Sequence, residues 1–413
     1  MTTTYAPPPG PPPIFHHGFQ YAPPPGPPPQ MFAPPPGPPP ISYPSCKDID
    51  DLAQYIRSSL PILASQGWLS VPLPPDLEAQ YASLFSESAA FFDLAPDASE
   101  KVDFAAPAGT SASDEGFSDI QGEKQLITLR RVSGMPPCLQ PAATSAWDAT
   151  GQLFLGTVHD IADSLELPDL EIFDEMSSES LGFPAKSRAS SLLRLFRYNR
   201  PEMGARKKIV AEAHKDLGLL TLVVGHSPGL DARDAAGNWI SVEDAPAHSS
   251  HGSNTAPRLT ATLLGGQTLT YLTRGLYASG AHRVSVLPPS PSNPDDDKYR
   301  FSLVFALRPA PNALIETAKF EASPLVGKFP PERLSLEKNN FPECSMHAQP
   351  AGELFRCISK RHWNVNIAPE MRAEQKRKLA ENAGVLEDNV VVVDGVAIVV
   401  REQPAEVGEA RLG

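Results

Sequence analysis

The segment Ala213-His-Lys-Asp-Leu-Gly-Leu-Leu-Thr-Leu222 places a histidine and an aspartate two residues apart, directly before a run of apolar residues. Side chains on a β-strand alternate with a period of two residues, so His214 and Asp216 are expected on one face of a strand. An imidazole and a carboxylate on one face supply two neighbouring ligands to a metal ion. The segment therefore predicts part of a metal site.

A third ligand is predicted at His282, which opens another predicted strand in Ser279-Gly-Ala-His-Arg-Val-Ser-Val286. Two histidines and one carboxylate on one side of an octahedral metal leave three positions open, the pattern of non-haem Fe(II) sites. A His-x-Asp pattern is by itself common in ordinary surface and core pairs. Its interpretation depends on the surrounding sequence.

The surrounding sequence changes from helical to strand periodicity along the chain. Apolar residues at helical spacing predict helices over 49–63, 77–92, 147–165 and 172–181, with Asp48 as the first N-cap and Pro61 as an end or kink, whereas 104–118 has a loop-like composition. Short strands separated by Gly, Pro or Asp clusters are predicted at 191–198, 219–224, 259–264, 268–273, 282–286 and 299–307. Helices followed by many short strands predict an α+β fold with a barrel or jelly roll.

The composition excludes several classes of protein. The 413 residues carry 35 Lys+Arg and 48 Asp+Glu, a net charge of −13, which argues against a nucleic-acid partner. The four cysteines form no CxxC pair, which excludes a disulfide scaffold or zinc ribbon and fits a reducing compartment. No apolar run is long enough to span a membrane, so we expect no membrane partner and a cytoplasmic location.

The two ends of the chain differ from its centre. Residues 1–40 hold 18 prolines, residues 1–45 contain no Asp, Glu, Lys or Arg, and the unit Pro-Pro-Pro-Gly-Pro-Pro-Pro occurs three times. This composition predicts a disordered tail with polyproline II character, which is either a solvated spacer or, through residues 5–40, a ligand for a polyproline-binding protein. At the other end, a helix is predicted over 369–383, and Asp394-Gly395 predicts a hairpin turn.

Several stretches that match in chain order resemble the isopenicillin-N-synthase-like branch of the 2-oxoglutarate/Fe(II) dioxygenases. They are the 214–222 segment, Gly237-Asn-Trp-Ile240, the run from Thr268 to Val284, the pair in Arg300-Phe-Ser302, and the upstream stretches Gly67-Trp-Leu-Ser-Val71 and Phe91-Phe-Asp-Leu-Ala-Pro96. The resemblance implies a double-stranded β-helix core over 186–312, a helical N-terminal region over 46–185 and a C-terminal extension over 313–413. Extensions of this kind resemble those of fungal members.

The resemblance also implies roles for individual residues. His214, Asp216 and His282 would hold Fe(II), and Arg300 and Ser302 would bind the distal carboxylate of the co-substrate 2-oxoglutarate, with O2 as the oxidant. Tyr198 would contribute to the same pocket. The expected activity is hydroxylation or desaturation of a small organic molecule in secondary metabolism, with release of succinate and CO2.

Two other interpretations stay open. One is an Fe(II) oxidase that does not use 2-oxoglutarate, because the resemblance includes an oxidase whose Arg-x-Ser pair binds the substrate itself. The other is an inactive adaptor that recruits partners through its polyproline tail. Two departures from the family pattern bear on the site: residues 287–298 lengthen the spacing between His282 and Arg300, and Gly265-Gly-Gln267 replaces the usual Gly-Asp.

Overall fold

A computed structural model of the chain describes residues 46–107, 115–243, 259–289, 298–327, 349–360, 362–382, 390–393 and 396–399. The predicted proline-rich tail, the Asp394-Gly395 turn and most of the 287–298 segment lie outside the described residues. No helix within the described residues is long and apolar enough to cross a membrane.

The core of the fold is formed by two antiparallel β-sheets. Their strands are β1 (Trp68–Val71), β2 (Gly116–Ile120), β3 (Lys124–Leu129), β4 (Leu192–Asn199), β5 (Lys208–His214), β6 (Leu220–Gly225), β7 (Leu230–Arg233), β8 (Trp239–Ser241), β9 (Thr260–Gly265), β10 (His282–Val286) and β11 (Tyr299–Leu307). The larger sheet has the order β1-β9-β6-β11-β4-β3-β2, and the smaller sheet has the order β5-β10-β7-β8. Two further strand pairs join β12 (Leu314–Ile315) to β13 (Gln349–Pro350) and β14 (Val390–Val393) to β15 (Val396–Val399).

Helices flank the sheets before, between and after the strands. They are α1 (Ile49–Gln66), α2 (Pro75–Asp93), α3 (Ser99–Asp103), α4 (Gln140–Ser164), α5 (Asp174–Ser177) with a 3-10 turn at Ser178–Ser180, α6 (Gln267–Leu272), α7 (Thr317–Glu321), α8 (Pro324–Gly327), α9 (Ala351–Ser359) and α10 (Pro369–Asn382). The mixture of helices and antiparallel sheets confirms the α+β class.

The larger sheet has two different faces because side chains alternate along its strands. Leu195 and Phe305 lie on the face covered by the N-terminal helices, where the Phe305 ring packs edge-on against Trp147 of α4 with ring centroids 4.9 Å apart. Phe196 and Tyr198 lie on the opposite face, in a second apolar cluster shared with strands of the smaller sheet. The space between the two sheets is therefore where inward-facing polar residues of the strands meet.

Helix α1 begins as the sequence predicts and ends later. The Asp48 side chain accepts hydrogen bonds from the backbone amides of Asp50 and Asp51, the arrangement of an N-cap. Pro61 lies inside the helix, which continues to Gln66. A proline removes one backbone hydrogen bond, and the apolar face that α1 buries on the core offsets that loss.

The strand prediction for 268–273 is wrong, because these residues form helix α6. The hydroxyls of Thr270 and Thr273 donate hydrogen bonds to backbone carbonyls four residues earlier, which satisfies these β-branched residues inside a buried helix. The loop prediction for 104–118 is wrong at its end, where β2 begins. Among the strands of the two main sheets, β2, β3, β5 and β7 were not predicted. The domain boundaries inferred from the sequence stay predictions.

The cysteines differ from the expectation in one respect. Neither Cys46 nor Cys138 forms a disulfide bond. Cys357, in helix α9, is disulfide-bonded.

Candidate active site

The structure brings His214, Asp216 and His282 together although they come from two strands and a loop. His214 is the last residue of β5 and lies directly across the antiparallel pair from His282, the first residue of β10. Strand β5 ends at His214, so Asp216 lies in the following loop and not on the strand, as the sequence had suggested. One ligand atom from each residue lies within 4.8 Å of the others, a group that can hold a metal ion.

Hydrogen bonds orient both imidazoles toward this point. The Nδ1 atom of His214 lies 2.7 Å from the Glu212 carbonyl oxygen, and Nδ1 of His282 lies 3.0 Å from the Gly280 carbonyl oxygen. Each ring therefore donates through Nδ1 and leaves the Nε2 lone pair for a metal, the usual arrangement of histidine ligands. The Nε2 atoms lie 4.0 and 3.9 Å from the Asp216 carboxylate oxygens.

The protonation states also suit a metal site. Burial, reinforced by the neighbouring His282 ring, lowers the pKa of His214 to about 3, so its imidazole is neutral at pH 7. Burial alone would raise the pKa of Asp216, but the two nearby imidazoles hold that pKa below its usual value. The Oδ2 atom of Asp216 is buried and accepts no hydrogen bond from the described residues. A buried carboxylate oxygen without a donor is costly, and a bound cation would remove that cost.

A close approach of two glycines supports the second histidine. Gly67, just past α1, has φ +80°, and a Cβ atom there would lie 2.5 Å from the backbone nitrogen of Gly280. The carbonyl of Gly280 is the acceptor that orients His282. The glycine that follows α1 thus allows the backbone contact on which the position of His282 depends.

Arg300 is fully buried and forms an ion pair that the sequence did not indicate. Its Nη2 atom lies 3.0 and 2.9 Å from the two carboxylate oxygens of Glu243, and its Nε donates to the Ser227 carbonyl oxygen at 3.1 Å. The side chains of Arg300 and Glu243 are 0% and 1% exposed. The Nη1 atom of Arg300 is buried and has no hydrogen-bond partner in the described part of the chain.

Ser302 and Tyr198 lie beside Arg300, as the resemblance implies. Arg300 is the cross-strand partner of Tyr198 on β4, and its guanidinium carbon lies 5.5 Å from the centre of the Tyr198 ring. The Ser302 hydroxyl is buried without a hydrogen-bond partner among the described residues. Burial raises the pKa of Tyr198 to about 12, so its hydroxyl stays protonated. Arg300 Nη1 and the Ser302 hydroxyl are two buried donors that a carboxylate would satisfy.

A cavity of about 550 Å³ connects the His214–Asp216–His282 group with Ser302 and Tyr198, and Arg300 lies behind this wall and is not one of its lining residues. The cavity is lined by all three residues of the His214–Asp216–His282 group and by Tyr198 and Ser302. Part of its wall comes from helix α9 and from 362–366, in the segment that the sequence analysis left without a role. This C-terminal wall is attached to the larger sheet: the Lys124 ammonium, on β3, donates to the Val365 carbonyl oxygen at 2.9 Å.

Three arginines in the same cavity were also missed from the sequence. They are Arg130, Arg194 and Arg308. Arg194 shares its strand face with Tyr198, four residues later, and this even spacing within an apolar strand was a usable signal. Nothing in the sequence around Glu243 indicates that it reaches Arg300.

The fold is shared with solved structures of oxygenases. Full-length Neurospora crassa thymine hydroxylase in complex with 2-oxoglutarate and thymine matches with a TM-score of 0.53 and 18% identity, over 76% of this chain and 92% of that protein. A Caulobacter crescentus protein assigned to the 2-oxoglutarate/Fe(II) oxygenase family matches with a TM-score of 0.52 and 20% identity, over 75% of this chain and 94% of that one. This chain has the oxygenase fold. No protein-family model and no curated protein matches its sequence.

Proposed function

We propose that this protein is an Fe(II)- and 2-oxoglutarate-dependent oxygenase that oxidises a small organic molecule. The observation that carries the proposal is the convergence of His214, Asp216 and His282 in the cavity between the two sheets. When bound, Fe(II) and 2-oxoglutarate would supply the activation of O2 that oxidises a substrate C–H bond, with succinate and CO2 as co-products. The likeness to oxygenases of the same fold supports this choice.

The protein's own residues would bind, orient and shield the reactants. His214, Asp216 and His282 would hold the metal, and the carbonyls of Glu212 and Gly280 would keep the two rings in their ligating orientation. Arg300 and Ser302 would bind the distal carboxylate of 2-oxoglutarate through the two donors that otherwise have no partner.

The finer assignments rest on the sequence resemblance alone. We propose membership of the isopenicillin-N-synthase-like branch and a role in secondary metabolism on the ordered motifs and the fungal-type extension. Whether the reaction is a hydroxylation or a desaturation depends on the substrate.

The Arg300–Glu243 ion pair favours a second candidate. Glu243 already supplies a counter-charge to Arg300, so this arginine has less need of a co-substrate carboxylate than an isolated arginine would have. An Fe(II) oxidase that does not use 2-oxoglutarate fits that observation, provided that its substrate is not held by the charge of Arg300. Succinate formation, measured together with substrate oxidation, separates the two candidates.

The first test is metal binding by the purified full chain under anaerobic conditions. We expect one Fe(II), or one Mn(II) as a redox-stable substitute, per chain. His214→Ala should weaken metal binding by more than the roughly 10- to 100-fold that loss of an outer-shell partner costs. Equal metal content in the wild type and His214→Ala would reject the site.

The second test is co-substrate binding. Arg300→Gln keeps the side-chain length but removes the charge, and it should cost about 2–3 kcal/mol, a rise of roughly 30- to 150-fold in the KM for 2-oxoglutarate. Metal binding should persist, because Arg300 is not a ligand. The matched control is Arg372→Gln, which removes a similarly buried arginine that pairs with Glu123 instead. An unchanged KM in Arg300→Gln would assign the co-substrate carboxylate to another cation.

A further inference from the structure

Three guanidinium groups meet on the cavity wall at the opposite end of the larger sheet from Arg300. Arg194 lies on β4, Arg130 directly follows the last residue of β3, and Arg308 directly follows the last residue of β11. All three line the same cavity as the metal-site residues. We name Arg130, Arg194 and Arg308 the arginine cluster.

The hydrogen bonds of the cluster leave donors unused. Arg130 donates through Nη1 to the carbonyl oxygens of Ala189 and Ser190, but its Nε is buried without a partner. The guanidinium of Arg308 makes no hydrogen bond or ion pair to the described residues, and its Nε is buried. Its central carbon lies 5.4 Å from the centre of the Phe355 ring of α9. A guanidinium has five N–H donors arranged in a fork that matches an oxyanion.

The local charge balance is strongly positive. Asp216 is the sole carboxylate among the described residues that line the cavity, and the proposed metal would take it as a ligand. Burial, together with repulsion from the other arginines, lowers the pKa of Arg194 to about 9 and that of Arg308 to about 10. Glu115 acts on Arg130, and Asp216 acts on Arg194 and Arg308, so two carboxylates offset part of the charge of three guanidinium groups. Buried cationic donors such as Arg130 Nε and Arg308 Nε are unfavourable without acceptors, and a bound anion would supply both acceptors and counter-charge.

This cluster is separate from the proposed co-substrate anchor. Arg300 and Arg308 are eight residues apart on and just after one strand, which corresponds to roughly 26 Å along the chain at about 3.3 Å per residue. The backbone of Arg308 is therefore further from Arg300 than a five-carbon diacid is long, whereas Arg194, opposite Val304, lies four residues from Arg300 along the sheet. The Asp216 carboxylate, by contrast, is close enough to the cluster to offset part of the pKa shift of both Arg194 and Arg308. An anionic group held by the cluster would therefore lie near the metal site.

We infer that the primary substrate is a small organic anion, whose carboxylate or phosphate group binds Arg130, Arg194 and Arg308 while its oxidised carbon faces the His214–Asp216–His282 group. The inference rests on the proposed oxygenase function. Thymine, which the Neurospora crassa enzyme binds, is neutral at pH 7, so the two proteins would select substrates of different charge.

The first experiment measures the melting temperature of the ligand-free full chain. Arg308→Gln removes one of several mutually repelling charges, so we expect a melting temperature above that of the wild type. Arg377→Gln is the matched control, since it removes an arginine charge from the exposed face of α10, and it should not raise the melting temperature. A lower melting temperature in Arg308→Gln would make Arg308 a structural residue and overturn the inference.

The second experiment uses sulfate as an oxyanion probe that fits any cavity shape, titrated against chloride at constant ionic strength. Sulfate stabilises proteins generally, so the informative quantity is the additional stabilisation of the wild type over Arg308→Gln. We expect sulfate to bind about 10- to 100-fold more weakly to Arg308→Gln, in line with loss of charge-assisted hydrogen bonds. Equal sulfate responses would mean that the wild-type effect comes from an adventitious ion only, and would overturn the inference.

The third experiment separates this inference from the proposed function. With Mn(II) present, 2-oxoglutarate should bind Arg308→Gln as tightly as it binds the wild type. Loss of 2-oxoglutarate binding in Arg308→Gln but not in Arg300→Gln would make the cluster the co-substrate anchor and overturn the inference while leaving the oxygenase proposal intact. Failure of the wild type to bind Mn(II) would reject the oxygenase proposal, and the sulfate comparison would still report on the cluster.

Discussion

The buried ion pair between Arg300 and Glu243 predicts an unusual response to substitution of Glu243. Both side chains are almost completely buried, so Glu243→Gln leaves the Arg300 charge without its internal partner. Breaking a buried pair by removing one partner costs about 3–5 kcal/mol, and the amide oxygen of glutamine keeps one acceptor, so we take the lower end, about 3 kcal/mol. With an unfolding entropy of about 2.1 cal/mol/K per residue, a chain of this size loses roughly 1–1.5 °C per kcal/mol, so the melting temperature should fall by roughly 3–5 °C.

The same substitution should strengthen co-substrate binding. In the wild type, the negative charge of Glu243 competes with the 2-oxoglutarate carboxylate for Arg300, whereas in Glu243→Gln the co-substrate provides the only anionic partner. A gain of about 1.4 kcal/mol, at the low end for a hydrogen bond to a charged group, corresponds to roughly tenfold tighter binding. The variant should therefore be less stable alone and gain more stability from 2-oxoglutarate.

The assay is calorimetric unfolding of the full chain with Mn(II), with and without 2-oxoglutarate, together with titration calorimetry. The matched control is Glu123→Gln, which breaks the other buried carboxylate–arginine pair, with Arg372, and leaves the Arg300–Glu243 pair intact. It should lower the melting temperature without changing 2-oxoglutarate affinity. Weaker 2-oxoglutarate binding in Glu243→Gln would refute the competition argument and make Glu243 a residue that only orients Arg300.

Two further predictions concern the frame of the site. Gly67→Ala should lower the free energy of unfolding by at least about 1–2 kcal/mol because of its left-handed backbone. Because Gly67 contacts Gly280, the same variant should weaken metal binding by about 10- to 100-fold. The control is Gly122→Ala, which has φ +72° and open space around it and should show the stability loss with unchanged metal affinity. Burial lowers the pKa of Lys124 to about 8 in the folded chain, against 10.5 ordinarily. Between these two pH values Lys124 is protonated in the unfolded chain and largely neutral in the folded chain. The free energy of unfolding should therefore rise with pH, by up to about 1.4 kcal/mol per pH unit. Urea unfolding at pH 7 to 10 should show this rise in the wild type relative to Lys124→Met, and a difference that stays flat across pH would contradict it.

The His214–Asp216–His282 group could be predicted from the sequence because the residue types and the spacing that indicate it lie within short segments. His214 and Asp216 are two residues apart, and His282 opens a strand with a clear alternating pattern, so residue type and spacing sufficed to nominate all three. The ordered motifs around them placed Arg300 and Ser302 beside Tyr198. Cross-strand register in the structure puts Arg300 opposite Tyr198, which is the juxtaposition that the resemblance implied.

What could not be predicted depends on contacts between residues far apart in the chain. Glu243 reaches Arg300 across 57 residues, and Arg372 reaches Glu123 across 249, distances at which a single sequence carries no pairing signal. Helix α6 was predicted as a strand because its threonines alternate with apolar residues. In the structure two of those hydroxyls donate to backbone carbonyls four residues earlier, so they have partners inside a buried helix, and these partners exist only once the helix has formed.

The proposed metal ligands and the C-terminal wall of the cavity come from separate stretches of the chain. The metal-site residues are all encoded before residue 283, whereas α9 and 362–366 add their part of the cavity wall from a stretch at least 68 residues later in the chain. During synthesis, the metal-binding strands would leave the ribosome before this wall exists. Exchange of the 351–366 segment between related chains would change part of the cavity wall while the proposed metal ligands stay in place, so substrate preference and metal binding would be free to change separately.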